Sequence, residues 1–256
     1  MVKRTIMWFR RDLRLADHPA LVAAGADGAE VVPLFVIDPA FDRSGVPRRA
    51  YLHDCLTALD ASLRERAGTG LVIRHGDPTR VVPALAEELG ADSVVVSRDY
   101  SPYGRGRDAA VADALAGMDG ALRGVGSPYA VDPGAVRKGD GDPYAVFTPF
   151  SKVWRRTGWR EPVPESDGDV RWLGSGAGAI ESEPMPERPD PGCGLPAAGE
   201  RAALDRWRSF LDTPGAADGT MRSGVDAYDE LRDRPALNGT SHLSPDLKWG
   251  TIHPRT

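Results

Sequence analysis

The sequence predicts an α/β fold: a doubly wound parallel sheet, then a long linker, then the start of an all-helical domain. Three observations support this prediction. Short apolar segments alternate with helical patterns over residues 1–130, as in a parallel sheet with crossover helices. The apolar segment at residues 31–37 has no polar alternation, which is typical of a strand buried on both faces. Helical spacing then resumes near residue 198, after a stretch rich in proline and glycine.

Five apolar segments are predicted to be strands. They lie at residues 5–9, 31–37, 71–73, 93–96 and 122–125. Apolar residues spaced three and four apart predict helices between them, at residues 20–24, 49–66, 81–89 and 107–115. We expect Asp17 to cap the first of these helices, with Pro19 in its first turn. A Rossmann-like sheet of this kind binds ligands beyond the carboxyl ends of its strands, so the loops that follow the strands are the candidate sites.

The pattern changes after residue 127. Residues 131–197 are rich in Pro, Gly, Glu and Ser, and we interpret them as an interdomain linker that runs over the surface. One aromatic and basic stretch within it, residues 147–159, is a candidate short helix. Residues 198–256 begin with helical spacing of Leu204, Trp207 and Leu211, which indicates the start of a helical domain.

Composition limits the class of protein. The chain has 256 residues and 27.4 kDa, and 32 basic against 37 acidic side chains give a net charge of −5, so no basic excess indicates nucleic acid. Cys55 and Cys193 lie far apart, form no disulfide framework and suit a reducing compartment. The N-terminus has no signal-peptide core, and the apolar runs are far shorter than the roughly 20 residues of a membrane span. We therefore expect a cytoplasmic protein that does not enter the membrane.

Several common signatures are missing from the sequence. No GxGxxG follows the first predicted strand, and no GxxxxGK[ST] or GxSxG is present. No His, Cys and Asp residues have the spacing of a metal site, so we predict no metal. His75, beside Gly76 and Asp77, is interpreted as a turn residue rather than a catalytic one.

The loop after the first strand holds three arginines around one carboxylate. Arg10, Arg11 and Arg14 flank Asp12, and arginine forks of this kind bind carboxylates or phosphates. The alternative is a structural network of Arg and Asp that braces the loop, and the spacing alone favours that alternative.

Two further loops carry candidate binding groups. Tyr100 and Tyr103 stand among charged residues at a strand end, which suits either a flat aromatic ligand or an exposed polar turn. The turn at residues 238–245 holds Thr240, Ser241 and Ser244. Its hydroxyls and amides suit a phosphate. The alternative is an N-cap followed by a proline in the first helical turn, and the sequence alone favours this alternative.

Four segments resemble the DNA photolyase/cryptochrome family. They are residues 7–17 (MWFRRDLRLAD), 100–105 (YSPYGR), 142–150 (DPYAVFTPF) and 239–255 (GTSHLSPDLKWGTIHPR). They are independent, they stand in the order that the family has, and together they span essentially the whole chain. The sequence is more similar to class I cyclobutane pyrimidine dimer photolyases than to animal cryptochromes.

The resemblance implies an architecture and an activity. Residues 1–130 correspond to an α/β antenna-chromophore domain, 131–197 to the linker, and 198–256 to the N-terminal part of a helical FAD-binding domain. The activity implied is that of a lyase, the light-driven repair of cyclobutane pyrimidine dimers in UV-damaged DNA by electron transfer from reduced FAD. The lesion is flipped out of the duplex so that the flavin can approach it. We expect a monomer that binds DNA and no membrane.

Site residues follow from the same resemblance. Matching the flavin-phosphate motif position by position gives the FAD-contacting set, with His242 at a variable position: Tyr228, Thr240, Ser241, His242, Leu243 and Ser244. The motifs identify no catalytic side chain.

The antenna site is carried over in the same way. Arg48, Asp99 and Lys248 match positions that line the antenna-chromophore pocket. Folate-binding members carry a Glu after an Asn where this chain has Tyr103 and Gly104, so 8-hydroxy-5-deazaflavin is favoured over methenyltetrahydrofolate. A flavin antenna and an empty pocket are the alternatives.

The C-terminus departs from the family pattern. Family members continue well beyond Thr256, through the rest of the FAD pocket, the redox tryptophans and most of the DNA-contacting surface. We therefore expect a C-terminally truncated chain that binds FAD weakly and is inactive alone. Two alternatives to repair remain: a cryptochrome-type blue-light sensor, and a stand-alone nucleotide- or chromophore-binding module.

Overall fold

A parallel sheet forms the centre of the computed structural model, which describes residues 3–163, 170–174, 180–212 and 224–256. The strand order is β3-β2-β1-β4-β5, and β6 pairs with β2. Every pair is parallel. The strands are β1 Arg4–Phe9, β2 Glu30–Ile37, β3 Val72–His75, β4 Ser93–Val96, β5 Ala121–Gly124 and β6 Arg171–Trp172. The five strands predicted from the sequence and the doubly wound order are thus confirmed.

Among the described residues, four helices cover the two faces of this sheet, and four more come after β5 in the chain. They are α1 Pro19–Ala24, α2 Val46–Ala67, α3 Pro78–Leu89, α4 Pro102–Ala116, α5 Phe147–Thr157, α6 Glu200–Asp212, α7 Tyr228–Leu231 and α8 Ser244–Trp249. Among the described residues, no helix is long and apolar enough to cross a bilayer.

Alternate side chains of the strands build two hydrophobic layers. Met7 and Phe9 of β1 pack with α1 and α2 on one face, through residues such as Leu21 and Leu56. Ile6, Trp8 and Leu34 pack on the other face with Val82, Leu85, Val111 and Leu115 of α3 and α4. Strands buried on both faces require the uninterrupted apolar pattern that residues 31–37 display.

Two capping predictions are wrong. His18, and not Asp17, caps α1, since its Nδ1 accepts a hydrogen bond from the Leu21 amide at 3.2 Å. Asp17 has a left-handed backbone with φ 41°, and its carboxylate accepts instead from the Val163 amide at 2.8 Å. At the second site α8 begins at Ser244 with Leu243 in the cap position, and no side chain caps it.

The segment predicted as a linker does more than cross the surface. β6 extends the sheet beside the first residues of β2, with Glu30 opposite Arg171. Ser182 Oγ accepts from the Ile73 amide at 2.9 Å, and the Glu183 amide donates to the Ile73 carbonyl at 3.0 Å. The bounds of the three predicted domains stay a prediction, and residues 164–169, 175–179 and 213–223 within them lie outside the described residues.

Candidate functional site

A cavity of about 180 Å³ lies beyond the carboxyl ends of β1, β2 and β4, and we call it the inner cavity. It sits where the strand order reverses between β1 and β4, the usual ligand position in such a sheet. Five aromatic side chains line it: Trp8, Phe9, Phe35, Phe41 and Tyr103. Four cationic side chains and two carboxylates also line it: Arg10, Arg11, Arg107, Lys248, Asp38 and Asp99. Aromatic walls with an excess of positive charge suit a flat, anionic ligand.

The carboxylate of Asp108 organises two of these cations. It accepts from Arg10 and, at 2.8 Å, from Arg107 Nη2. Both guanidinium groups lie over the Trp8 ring, 4.9 Å and 5.1 Å from its centroid. Arg10 thus belongs to a structural network, as the spacing of the loop favoured, and it also lines the cavity.

Lys248 connects the inner cavity to a second one. The second cavity, of about 510 Å³, is lined by Arg48, Tyr51, Ser244, Lys248 and Trp249, among others. Of the predicted antenna residues, Asp99 lines the inner cavity, Arg48 lines the second, and Lys248 lines both. The structure therefore places Asp99 and Arg48 on either side of Lys248, in two neighbouring cavities.

Asp99 and Lys248 are two of the ionisable groups that line the inner cavity, and the pKa of each is lowered. Burial alone raises the pKa of Asp99, but hydrogen bonds from the Ser101 amide and hydroxyl and the charges of Arg10 and Arg107 outweigh it and lower that pKa. Burial lowers the pKa of Lys248, and the charges of Arg11 and Arg48 lower it further. Asp99 is thus a carboxylate at neutral pH, and the charges of Arg10 and Arg107 stabilise it.

Gly104 makes room for Asp99. A Cβ atom at residue 104 would lie 2.2 Å from the Asp99 Cγ, closer than any real contact. The Ser101 amide donates to Asp99 Oδ1 at 2.9 Å and fixes that position. Any larger residue at 104 therefore displaces the carboxylate from the cavity, which gives a physical reason for the Tyr103-Gly104 pair.

The residues predicted to contact FAD cluster around the turn before α8. Gly239 packs so closely on α7 that a Cβ there would lie 2.3 Å from Leu231 Cβ, and this brings the turn to the helix that begins at Tyr228. Tyr228 is 43% exposed. His242 has φ 51°, with its Nε2 2.7 Å from Asn238 Oδ1.

The rest of this FAD set divides between surface and core. Leu243 is buried against Ala203 and Ile252, so it anchors the turn. Thr240 and Ser241 are half-buried and Ser244 is exposed, so their hydroxyls remain at the surface of the chain. Hydroxyls of this kind are donors that a diphosphate accepts, while the space beside Gly239 is filled by Leu231.

The segment after α8 docks on the loop after β1. The Leu13 amide donates to the Trp249 carbonyl at 3.0 Å, and Arg11 Nε donates to the Lys248 carbonyl at 3.2 Å. A Cβ at Gly250 would lie 2.1 Å from the Arg11 carbonyl oxygen, so only glycine allows this approach. This docking holds Lys248 against the inner cavity.

A buried carboxylate strengthens the same contact. Asp246 is fully buried, and its side chain accepts from Tyr51 at 2.8 Å, from Thr251 at 3.1 Å and from Arg206. The network was not predictable from the sequence because Tyr51 of α2 and Arg206 of α6 are distant from Asp246 in the chain.

The remaining candidates have structural surroundings. His75 is the last residue of β3 and pairs with Ile37, so it is a strand residue and not the turn residue predicted, and its Nε2 lies 2.9 Å from the Pro184 carbonyl oxygen. In the part of the chain that the structure describes, no three His, Cys, Asp or Glu residues are placed to hold a metal ion.

The fold is that of a doubly wound α/β protein, with cavities beyond the carboxyl ends of its strands. Residues 5–167 match the protein-family model described as DNA photolyase. The chain belongs to the DNA photolyase family.

Comparison with individual proteins agrees with this assignment. The chain is 35% identical to the deoxyribodipyrimidine photo-lyase of Halobacterium salinarum over 98% of its own length and 53% of the relative's. A solved class III photolyase from Agrobacterium tumefaciens superposes with a TM-score of 0.81 at 32% identity, over 100% of this chain and 52% of that one. The chain thus spans about half the length of these relatives.

A Synechocystis cryptochrome superposes equally well. Its TM-score is 0.81 at 22% identity, over 100% of this chain and 54% of that one. At this identity the similarity shows a shared fold.

Proposed function

We propose that this chain works in a light-driven repair enzyme for cyclobutane pyrimidine dimers in UV-damaged DNA, of the class I type. Family membership and the relatives named deoxyribodipyrimidine photo-lyase support the reaction. The observation that carries the proposal is the docking of residues 248–250 on residues 11–14. This docking places Lys248, which belongs to the segment that resembles the family's flavin-phosphate motif, at the inner cavity. We further propose that the 256 residues alone do not repair DNA.

The proposed role of the inner cavity is to hold an antenna chromophore. Its aromatic rings pack on a flat ring system, while Lys248 and Arg107 balance a negative charge on it. Asp99, held in place beside Gly104, accepts a hydrogen bond from a ring N–H or hydroxyl. We favour 8-hydroxy-5-deazaflavin over methenyltetrahydrofolate, since a hydroxyl that ionises suits this cationic wall.

The proposed role of the turn before α8 is to hold the diphosphate of FAD. Thr240, Ser241 and Ser244 supply hydroxyl donors, and Tyr228 presents an exposed ring beside them. When bound, the reduced flavin supplies the electron that splits the dimer. The chain's own residues position it and hold its phosphates.

A cryptochrome-type light sensor is the second candidate. The equal TM-score of the Synechocystis cryptochrome favours it, since the two functions share this fold. A stand-alone chromophore-binding module is the third alternative, and the nearly complete sheet supports it.

Photoreactivation tests the proposal. The 256-residue chain, alone and fused to the remaining half of a deoxyribodipyrimidine photo-lyase, is expressed in a bacterium that lacks its own photolyase, the cells are irradiated with UV, and survival under blue light is compared with survival in the dark. We expect light-dependent survival from the fusion and none from the 256-residue chain alone. Equal survival in light and dark with the fusion expressed as a folded flavoprotein would favour the sensor instead. Light-dependent survival from the 256-residue chain would contradict the proposal that it is inactive alone.

A further inference from the structure

Two cavities at the carboxyl edge of the sheet share one wall. The inner cavity measures about 180 Å³, and an outer cavity of about 550 Å³ lies beside it. Asp38, Tyr103 and Arg107 line both. Ligand pockets typically measure about 300–1,000 Å³. The inner cavity alone is below that range, so a ring ligand needs the dividing wall to move.

Asp38 and Arg107 are held firmly in this wall. Asp38 Oδ1 accepts from the Ala40 amide at 2.9 Å, at the start of a 3₁₀ helix. The Arg107 side chain is 6% exposed, donates to Asp108 at 2.8 Å, and lies over Trp8. Neither side chain can leave the wall without breaking buried contacts.

Tyr103 is held far more weakly. It is 50% exposed. Its hydroxyl donates one hydrogen bond across the wall to Asp38 Oδ2, and its ring lies 5.5 Å from the Arg107 guanidinium carbon. Burial raises the pKa of its phenol to about 12, and Asp38 adds to this, so the hydroxyl keeps the proton that it donates. Rotation about its side-chain bonds would break this hydrogen bond and the ring contact with Arg107, and would remove the Tyr103 ring from the wall that the two cavities share.

We propose that Tyr103 is a gate, latched to Asp38, through which a flat heteroaromatic chromophore passes from the outer to the inner cavity. The ligand class rests on the proposed antenna function. The gate itself rests on the shared wall and on the one hydrogen bond that closes it. The ring of Tyr103 also limits the size of ligand that the closed cavity holds.

Thiol labelling tests the gate without any chromophore. Val36 lines the inner cavity and is 3% exposed, so Val36→Cys places a thiol behind the wall. The exposed Cys193 is changed to Ser, and the native Cys55 stays unreactive because burial raises its pKa to about 12. The rate of modification by N-ethylmaleimide is followed by mass spectrometry, with circular dichroism to confirm the fold.

We expect Tyr103→Phe to accelerate labelling about tenfold, as the loss of one hydrogen bond to a carboxylate allows. Tyr103→Ala should accelerate it further. The matched control is Tyr129→Phe, since Tyr129 is 39% exposed and packs on Tyr100, outside the wall. Equal rates in all variants would overturn the gate. Acceleration by Lys248→Ala and not by Tyr103→Phe would also overturn it, since entry would then come from the second cavity.

A chromophore experiment separates the gate from the antenna function. Stopped-flow fluorescence with 8-hydroxy-5-deazaflavin should show faster binding and faster release in Tyr103→Phe. The ratio of the release rate to the binding rate, which is the dissociation constant, should change less than either rate. If the wild-type chain binds the chromophore and both rates are unchanged in the variant, the gate is wrong and the antenna function stands. If labelling is gated but the chromophore does not bind, the gate stands and the antenna function fails.

Discussion

Arg14 donates a hydrogen bond through Nη1 to the carbonyl oxygen of Gly250 at 3.0 Å, across 236 positions of the chain. Its other terminal nitrogen donates to the Asp17 carbonyl at 2.7 Å, and its side chain is buried. One guanidinium thus joins the loop after β1 to the segment after α8. The position of Lys248 beside the inner cavity depends on this junction.

The approach at Gly250 predicts a large loss of stability for Gly250→Ala. Its Cβ would lie 2.1 Å from the Arg11 carbonyl oxygen, and φ is +68°. The matched control is Gly68→Ala, which has φ +66° and no atom within 4 Å of the added Cβ. We expect the control to lose about 1 kcal/mol from left-handed strain, and Gly250→Ala to lose several kcal/mol. Urea denaturation measures the free energy of unfolding of both variants. Equal losses would contradict the prediction, since they would mean that the backbone at residue 250 can move away from the added Cβ.

The buried carboxylate of Asp246 predicts a second sensitive position. Asp246→Asn removes the charge that Arg206 pairs with and leaves the Tyr51 hydroxyl with a weaker acceptor. We expect the free energy of unfolding to fall by about 3 kcal/mol, as when one partner of a buried pair is removed. The control is Asp205→Asn, whose pair with Arg208 is exposed and worth less than about 1 kcal/mol. A loss at 246 no larger than that at 205 would contradict the network.

His253 predicts a pH dependence of stability. Burial lowers its pKa from 6.5 to about 4, with the charges of Arg14 and Arg255 adding to the effect against Asp17, so it is neutral in the fold. Its Nδ1 accepts from the Arg255 amide at 3.1 Å, and its Nε2 lies 2.9 Å from the Ser127 carbonyl oxygen.

Between these pKa values the unfolded chain binds the proton and the folded chain does not, so the folded state loses stability as the pH is lowered. The free energy of unfolding should be constant above about pH 6.5 and fall by about 3 kcal/mol on going to pH 4. His253→Gln should flatten this fall, whereas His242→Asn, at an exposed position, should preserve it. An unchanged profile in His253→Gln would assign the pH dependence to other groups.

Gly104 predicts a change in binding with little change in folding. Gly104→Ala pushes the Asp99 carboxylate out of place, since the added Cβ would lie 2.2 Å from its Cγ. Gly106→Ala, in the same helix with no atom within 4 Å of its Cβ, is the control. We expect Gly104→Ala to weaken 8-hydroxy-5-deazaflavin binding about tenfold or more, and Gly106→Ala to keep it while gaining up to about 1 kcal/mol of helix stability. Fluorescence titration measures the affinity of each variant for 8-hydroxy-5-deazaflavin, with the same folded fraction in each sample.

The sheet was predictable because its information is local. The uninterrupted apolar residues of 31–37 favour burial on both faces of a sheet. This pattern predicts a central parallel strand, and β2 does pair in parallel with β1 and β3. β6 was not predictable, because a two-residue strand, Arg171–Trp172, has no periodicity to read. Asp17 was assigned as a cap from its position before Pro19. Its carboxylate instead accepts a hydrogen bond from the distant Val163 amide, and His18 caps the helix.

The site was only partly predictable. Spacing identified the arginines and tyrosines at the strand ends, since ligand positions follow from the sheet. The resemblance supplied Arg48, Asp99 and Lys248, and the structure places Asp99 and Arg48 on either side of Lys248. The role of Asp246 and the hydrogen bond between Tyr103 and Asp38 were not predictable, since both depend on contacts between distant elements.

Binding of 8-hydroxy-5-deazaflavin to the purified 256-residue chain tests the central claim most directly. Fluorescence titration compares the wild-type chain with Lys248→Ala and with Lys152→Ala, an exposed lysine of α5 that lines neither the inner nor the second cavity. We predict a stoichiometric complex with the wild-type chain and with Lys152→Ala, and affinity lowered about tenfold or more in Lys248→Ala. A folded wild-type chain that binds no chromophore, or binding that is equal in all three proteins, would contradict the account.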